Sequence, residues 1–419
     1  MTPKILSILV IVFVASAGLV GDLFHHARER RWLVVPGKRS SHSAPTPSGA
    51  GIVIVLMTLV TVGALRGLGM IADELVIPLV FGGGVIAAVS WLDDLRGVPA
   101  RIRLAAQFFG ALTVLWWIGP LESLDFGSFM FPLGPILGPI LTVAGIMWMA
   151  NLVNFMDGTD GLVGMQTVFV SVVMGALMFT TGLTGPALLL FVLAAATLGF
   201  LAWNWHPAKM FLGDVGAVFI GFIFAAIATW TERIEAIPLL FWAILFAPFI
   251  VDATLSTARR LMNGYSLLEG HREFAFHKLV RKGLSHSQVA LLFLGLNVLL
   301  LAPFFFGWRS HEYLFLATLG PFLVCMLLWH IAQKRKEPFR ARSKVLNPSR
   351  RQRVGLFFLA DLFIVSGSLG LSFFLRFDFN LLMADGAPYA FSSFVYRCKA
   401  SEFLVFRVVS NALACRFAP

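Results

Sequence analysis

Apolar runs about as long as a bilayer is thick recur along most of this chain. An α-helix needs about 20 predominantly apolar residues to cross the hydrocarbon core, and such runs follow one another between residues 5 and 375. Charged residues make up only 13% of the 419 residues, against roughly 25% in a typical soluble domain. The sequence therefore predicts an all-α fold, a polytopic integral membrane helical bundle.

The runs predict about eleven transmembrane helices and one extra C-terminal helix. Their approximate bounds are 5–24, 48–65, 75–92, 104–119, 134–150, 163–181, 186–203, 216–231, 237–256, 289–307, 312–331 and 355–375. We expect one membrane domain over residues 1–332, a basic linker over 333–354, and the extra helix with its tail over 355–419.

The basic residues are unequally distributed between the loops. If the N-terminus lies outside, the inside loops contain 24 Lys and Arg, whereas the outside loops contain only Arg66, Arg233 and Arg309. Positive charge concentrates in cytoplasmic loops of membrane proteins, so the inside loops should face the cytoplasm. The net charge of +11 then reflects contact with the membrane and its lipids, and no nucleic-acid partner is expected.

The first apolar run could alternatively be a signal peptide, because Lys4 precedes it and Ala15-Ser16-Ala17 resembles a cleavage site. Cleavage would invert every later loop against the charge bias. An uncleaved first helix is therefore favoured.

Asp93 and Asp94 end the third predicted span. Neighbouring helical positions point about 100° apart, so two such carboxylates can share a target only where a helix frays or ends. A solvated helix terminus is the alternative, but negative charge at a helix C-terminus opposes the macrodipole, and carboxylates near lipid are costly. We therefore interpret the pair as functional.

The loop at 151–162 is the only inside loop without Lys or Arg. It contains Asn154, Asp157 and Asp160, which would share one face if the segment were helical. A plain turn is the alternative. Two acids and two asparagines without a basic residue favour a site for a polar ligand.

Asp214, in Phe211-Leu212-Gly213-Asp214, opens the eighth span. A carboxylate at a helix N-terminus is also a good cap, so a purely structural role is an equal alternative for this residue alone. Mg²⁺ is usually held by one or two carboxylates plus substrate phosphates. Five candidate aspartates on one side of the membrane could provide such a site.

Basic loops could supply phosphate contacts. Arginine is suited to bidentate contact with a phosphate, although each basic residue taken singly is more often a topological anchor. The candidates are Lys38, Arg39, His42, Arg101, Arg103, His271 and Arg272.

The sequences of these motifs and their order along the chain resemble those of the polyprenyl-phosphate N-acetylhexosamine-1-phosphate transferases of glycosyltransferase family 4. The resemblance covers residues 1–330 and includes Arg39-Ser40-Ser41-His42-Ser43-Ala44-Pro45-Thr46-Pro47, the Asp pair, the Asn-x-x-Asn-Phe-x-Asp-Gly-x-Asp-Gly box from Asn151, and Phe211-Leu212-Gly213-Asp214. The first loop and Asn154-Phe155-Met156-Asp157-Gly158 look most like the branch that initiates bacterial O-antigen or related glycan synthesis.

The resemblance implies transfer of a sugar 1-phosphate from a UDP-N-acetylhexosamine to undecaprenyl phosphate, with release of UMP. It implies a bacterial inner-membrane enzyme that uses Mg²⁺ or Mn²⁺, and it leaves a homodimer open. By the same resemblance, Asp214 would ligate the metal, Asp93 with Asp94 would act in catalysis, and Asn154, Asp157 and Asp160 would shape the nucleotide pocket. Covalent attack by Asp93 stays open, and direct attack by the lipid phosphate is favoured because that phosphate is mostly ionised near neutral pH.

The fifth motif departs from the His-Arg-x-His-x-Tyr-Gln pattern that the resemblance leads us to expect. His271 and Arg272 match, but Phe274, Phe276 and His277 replace the second His, the Tyr and the Gln. The C-terminal run ending in Leu375-Arg376-Phe377-Asp378 resembles the first membrane segment of sugar-nucleotide dehydratases and epimerases, as in a truncated fusion.

Two other classes of function are alternatives to a transferase. The altered fifth motif would suit a catalytically inactive relative. A transporter or flippase should place its acids near the bilayer midplane in an internally repeated chain. The acids here cluster at one interface and no repeat is evident, so a transferase is favoured.

Overall fold

A computed structural model describes residues 3–29, 33–34, 46–263 and 273–333. Five predicted site residues lie outside these ranges: Lys38, Arg39, His42, His271 and Arg272. The linker beyond residue 333, the extra helix and the tail also lie outside them.

The described part of the chain is almost entirely helical. Its α-helices are α1 (Pro3–Glu29), α2 (Gly51–Gly67), α3 (Asp73–Ile77), α4 (Gly83–Arg96), α5 (Ala100–Trp117), α6 (Gly134–Met156), α7 (Leu162–Thr180), α8 (Thr184–Asn204), α9 (Gly213–Arg233), α10 (Leu239–Met262), α11 (Ala275–Arg281), α12 (His286–Leu299), α13 (Leu301–Arg309) and α14 (Leu314–Gln333). A π-helical turn at Pro78–Gly82 joins α3 to α4, and a 3₁₀ turn at His311–Tyr313 precedes α14. Two antiparallel pairs complete the structure, β1 (Leu33–Val34) with β2 (Thr46–Pro47) and β3 (Ser123–Asp125) with β4 (Met130–Pro132).

Nine segments within these described ranges are long and apolar enough to cross a membrane. Two shorter or more polar helices complete the eleven predicted spans: α2, with 17 residues, and α5, which begins with two arginines in its first turn. The prediction of a helical membrane bundle is confirmed, and the protein is a multi-pass membrane protein.

Helix α9 forms the centre of the bundle. Every residue from Val215 to Glu232 is buried, and α9 packs against α2, α4 and α6. Peripheral helices instead expose apolar side chains, such as Ile11 on α1, Val60 on α2 and Leu327 on α14. Because α9 is enclosed by other helices, the position of its N-terminus is fixed by protein contacts rather than by lipid.

Two glycines allow α2 and α9 to approach closely near that N-terminus. A Cβ atom on Gly51 would lie 2.2 Å from the Cα atom of Gly216. The segments that precede both helices are also hydrogen-bonded, since the amides of Ala50 and Gly51 donate to the carbonyls of Phe211 and Leu212. This contact holds the beginning of α9 in place.

We expect Gly51→Ala to destabilise the protein, because the added methyl group would force the two backbones apart. Overpacking of this kind costs about 1–3 kcal/mol, so the thermal midpoint in detergent should fall by several degrees. Gly63→Ala on the same helix is the matched control, since nothing lies within 4 Å of its added Cβ, and it should be neutral or slightly stabilising. Equal midpoints for both variants would contradict the role of the close approach.

Candidate active site

The carboxylate of Asp94 caps the N-terminus of α9. Its two oxygens accept hydrogen bonds from the amides of Asp214 and Val215, at 3.0 and 3.1 Å. A helix N-terminus has unpaired amide groups and a partial positive charge, so an external carboxylate there is favourable. Asp94 on α4 therefore determines where Asp214 lies.

Gly213 makes this arrangement possible. Its φ of +78° is in the left-handed region that favours glycine. A Cβ atom at this position would lie 2.5 Å from Oδ2 of Asp94 and 2.9 Å from the backbone of Gly49. The Phe-Leu-Gly-Asp motif thus requires its glycine on steric grounds.

Asp93 points to a different partner from that of Asp94. Its Oδ2 accepts a hydrogen bond from Nη1 of Arg103 at 2.8 Å, and the same Nη1 lies 2.9 Å from Oδ2 of Asp214. The second oxygen of Asp93 accepts from the amide of Val98. One guanidinium nitrogen is therefore shared by carboxylates from two helices.

Asn154 and Asp157 approach the same place from the end of α6. Nδ2 of Asn154 lies 3.4 Å from Oδ2 of Asp214. Burial raises the pKa of the Asp157 carboxyl well above its usual value, and the neighbouring carboxylates of Asp214, Asp94 and Asp160 raise it further. Because the acids raise the pKa of this carboxyl, a cation bound among them would favour its ionised form.

The carboxylates of Asp157 and Asp214 line a cavity of about 660 Å³. Its polar wall is formed by Arg103, Gln107, Asn151, Asn154, Asp157, Asp214 and His277, together with Ser90 and Thr257. Gln107 and Asn151 are hydrogen-bonded to each other, with Nδ2 of Asn151 2.6 Å from Oε1 of Gln107. A cavity of this size, with charged groups at one wall, can enclose a substantial polar ligand.

Aromatic rings of Phe155 and Phe274 also line the cavity. The ring of Phe274 stacks on that of Phe155, with centroids 6.1 Å apart, and on that of Phe276 at 5.6 Å. The buried carboxylate of Asp252 accepts from the amides of Ala275 and Phe276 and so caps α11. The replacements found in the fifth motif therefore build a packed apolar surface beside the polar wall.

Asp160 is drawn into a separate cluster. Its Oδ2 lies 2.7 Å from Nδ1 of His206 and its Oδ1 lies 3.2 Å from Nδ1 of His286. Burial would raise the pKa of the Asp160 carboxyl, but hydrogen bonds from the two imidazoles and from the amide of Ala208 outweigh it and lower the pKa. Asp160 does not line the cavity described above.

The structure brings together most of the predicted site residues within its described ranges. Asp93, Asp94, Asn154, Asp157 and Asp214 form one cluster. Arg101 is exposed and does not line the cavity, because it lies two residues from Arg103 and points to a different side of α5. The roles predicted for these residues remain predictions.

One expectation about the 151–162 loop does not hold in the structure. Helix α6 ends at Met156, and Asp157 adopts a non-helical ψ of 42° as its C-terminal cap. The condition for a shared helical face is therefore not met, and Asp157 and Asp160 point to different clusters.

Sequence reasoning missed Asp252 and the pair of His206 and His286. A usable signal existed for Asp252, because an acid inside an apolar run is costly and needs a partner. For the two histidines no sequence signal was available, since they are 80 residues apart and come together only in the folded chain, where their ring centroids lie 4.9 Å apart beside Asp160.

The groups around Asp214 fit a hard divalent cation. Oxygens of Asp93 and Asp214 already converge on one cationic nitrogen of Arg103, and the Asp157 carboxyl and the Asn154 amide are nearby. Mg²⁺ prefers oxygen ligands, usually from one or two carboxylates and a substrate. The donor set is of the kind that Mg²⁺ or Mn²⁺ takes.

Comparison with known proteins gives a consistent result. Residues 76–232 match the model of glycosyl transferase family 4. A decaprenyl-phosphate N-acetylglucosaminephosphotransferase of Mycobacterium leprae is 29% identical over an alignment of 314 residues that covers 66% of this chain and 76% of the relative. A probable undecaprenyl-phosphate N-acetylglucosaminyl 1-phosphate transferase of Bacillus subtilis is 27% identical over 267 residues, 61% of this chain and 72% of the relative.

A third relative covers a shorter region. The phospho-N-acetylmuramoyl-pentapeptide-transferase of Trichormus variabilis is 34% identical over 168 residues, 36% of this chain and 44% of the relative. The segment matched by the family model contains both aspartates of α4, the loop after α6 and the N-terminus of α9. These matches confirm the resemblance to glycosyl transferase family 4 at the level of the family.

Proposed function

We propose that this protein transfers an N-acetylhexosamine 1-phosphate from a UDP-sugar to undecaprenyl phosphate and releases UMP. The observation that carries the proposal is the convergence of Arg103, Asn154, Asp157 and Asp214 on one cavity at one end of an apolar bundle, with Asp93 paired to Arg103. A nucleotide and a long-chain lipid phosphate can meet only at such a boundary. The names of the relatives, which are transferases acting on polyprenyl phosphates, support the same chemistry.

The residues of the cavity have separable tasks in this reaction. Arg103 would exchange its carboxylate partners for phosphate oxygens of the donor, because guanidinium groups bind phosphates well. Asn154 and the Gln107–Asn151 pair would hold polar atoms of the donor through their amides. The apolar wall at Phe155 and Phe274 would exclude water from the reacting diphosphate.

Asp214, with Asp93 and Asp157 nearby, would hold a Mg²⁺ ion. When bound, the metal supplies charge stabilisation for the transferred phosphoryl group and the leaving UMP. The attacking lipid phosphate is mostly ionised near neutral pH, its second pKa being about 6. Asp93 is therefore needed for positioning more than for removing a proton, and direct attack is favoured over a covalent intermediate.

The proposed orientation places the cavity on the cytoplasmic side of a bacterial inner membrane. It is supported by the concentration of Lys and Arg in the loops at this end of the helices. The first-loop sequence Arg39-Ser40-Ser41-His42 and the sequence Asn154-Phe155-Met156 favour a role in initiating O-antigen or a related envelope glycan. A transporter is disfavoured because the acids cluster at helix ends rather than at the middle of the spans.

The test is release of UMP by the full-length protein in detergent or nanodiscs. We expect release that requires both undecaprenyl phosphate and a UDP-N-acetylhexosamine, stops with EDTA and returns with Mg²⁺. A panel of donors would identify the sugar. No release with any donor, from protein shown to be folded, would favour a catalytically inactive relative.

A further inference from the structure

Three side chains with metal-binding atoms meet outside the cavity. Asp160 comes from the loop after α6, His206 from the segment after α8, and His286 from the first turn of α12. Their potential ligand atoms all lie within 4.8 Å of one another. Three segments that are distant in sequence therefore deliver two imidazoles and one carboxylate to one point.

The cluster is enclosed but accessible. Asp160 and His286 are 8% and 7% exposed, whereas the side chain of His206 is 35% exposed. The amide of Ala208 donates to Oδ2 of Asp160 at 3.2 Å, an outer contact that would orient the carboxylate as metal sites require. An ion could enter past His206 and keep a water molecule on that side.

The donor atoms differ in kind from those around Asp214. Two nitrogens and one oxygen suit a transition-metal ion of intermediate hardness, whereas Mg²⁺ is a hard ion and prefers oxygen ligands alone. Tetrahedral ligands at about 2.0–2.1 Å from Zn²⁺ lie about 3.3 Å from one another. The contacts of 2.7 Å from His206 to Oδ2 of Asp160 and of 3.2 Å from His286 to Oδ1 are near that separation. All ligand atoms lie within 4.8 Å of one another, so side-chain rotations would bring one carboxylate oxygen and two imidazole nitrogens around the metal.

We propose that Asp160, His206 and His286 form a second metal site, for Zn²⁺ or a similar transition-metal ion, with water as the fourth ligand. Bound metal would tie together the loop after α6, the segment before α9 and the beginning of α12. The proposal does not depend on the proposed transferase activity.

The experiment is calorimetric titration of the chelator-treated, tag-free full-length protein in detergent with Zn²⁺ in the presence of excess Mg²⁺. We expect one saturable site per chain and a rise in the thermal midpoint on binding. His206→Ala and His286→Ala should each weaken binding by more than about tenfold. His311→Ala is the matched control, since it removes another histidine–carboxylate pair, with Asp125, and should leave binding unchanged.

If the buried His286→Ala variant fails to fold, the His206→Ala variant alone is sufficient for the test. His206 is partly exposed, so its substitution should disturb folding less. Absence of saturable binding to the wild type would overturn the proposal. Unchanged binding in a folded His206→Ala variant would also overturn it, because the metal would then be held by other groups, such as His25 and His26, which are neighbours in the sequence.

Discussion

Asp214→Asn is expected to reduce UMP release by about a thousandfold or more while the protein stays folded. Asparagine keeps the shape of the side chain but removes the charge that would hold the cation. Stabilisation of a developing phosphoryl charge by a metal contributes several kcal/mol, and each 1.36 kcal/mol corresponds to about a tenfold change in rate. The loss should appear in kcat as well as in kcat/KM, since the interaction is strongest in the transition state.

Asp73→Asn provides the matched control for this measurement. Asp73 begins α3, at the opposite end of the third span from Asp93 and Asp94, where its exposed carboxylate pairs with Arg66 at 2.7 Å. Loss of an exposed ion pair changes stability by about 1 kcal/mol at most, so activity should be unchanged. If Asp214→Asn retained a tenth of the wild-type rate, the cation would have to be held mainly by Asp93 or Asp157.

The location of the site could be predicted from the sequence, but the division of tasks within it could not. The apolar runs and the charge bias placed Asp93, Asp94 and Asp214 at one end of the bundle. Asp94 caps α9, whereas Asp93 shares Arg103 with Asp214. Which of the two adjacent aspartates takes which position depends on how α4 packs against α9, 120 residues later in the chain. That contact is set by tertiary packing and leaves no periodic pattern in either segment.

The loop after α6 shows a similar limit. The spacing of Asp157 and Asp160 is compatible with one helical face, but the helix ends before either residue. Gly161 adopts a left-handed φ of +76°, and its amide donates to Oδ1 of Asn204. The partner that turns this loop is on another helix, so the local sequence alone could not show that the two carboxylates separate.

The aromatic part of the cavity lining was predicted only as a departure from a motif. Phe274 and Phe276 stand where the resemblance led us to expect polar residues, and the structure shows the result, a stack with Phe155. Asp252 supports this part of the lining by capping α11. An isolated acid in an apolar run predicts a buried partner but does not identify it.

The second prediction concerns Asp94, for which Leu and Asn should have very different effects. Asp94→Leu would leave the amides of Asp214 and Val215 without their acceptor in a largely enclosed place. Each unsatisfied group costs about 1–3 kcal/mol, so the thermal midpoint should fall clearly. Asp214 would also be displaced, and a shift of about 1 Å at a reacting centre can cost a hundredfold in rate.

Asp94→Asn separates a positioning role from a catalytic one. Its single side-chain oxygen can still accept from one of the two α9 amides, but its NH₂ group cannot accept from the other. A residue that acts only by positioning Asp214 should therefore retain part of its effect on stability and on the Mg²⁺ concentration needed for half-maximal activity. A residue that acts as an acid or base would be as impaired by Asn as by Leu, because both variants lack a titratable group. The hydrogen bonds at 3.0 and 3.1 Å already occupy both oxygens of Asp94. Because Asn keeps one of these two acceptors and Leu keeps neither, we expect the Asn variant to lie between the wild type and the Leu variant in UMP release. Equal inactivity of two folded variants would contradict the positioning role.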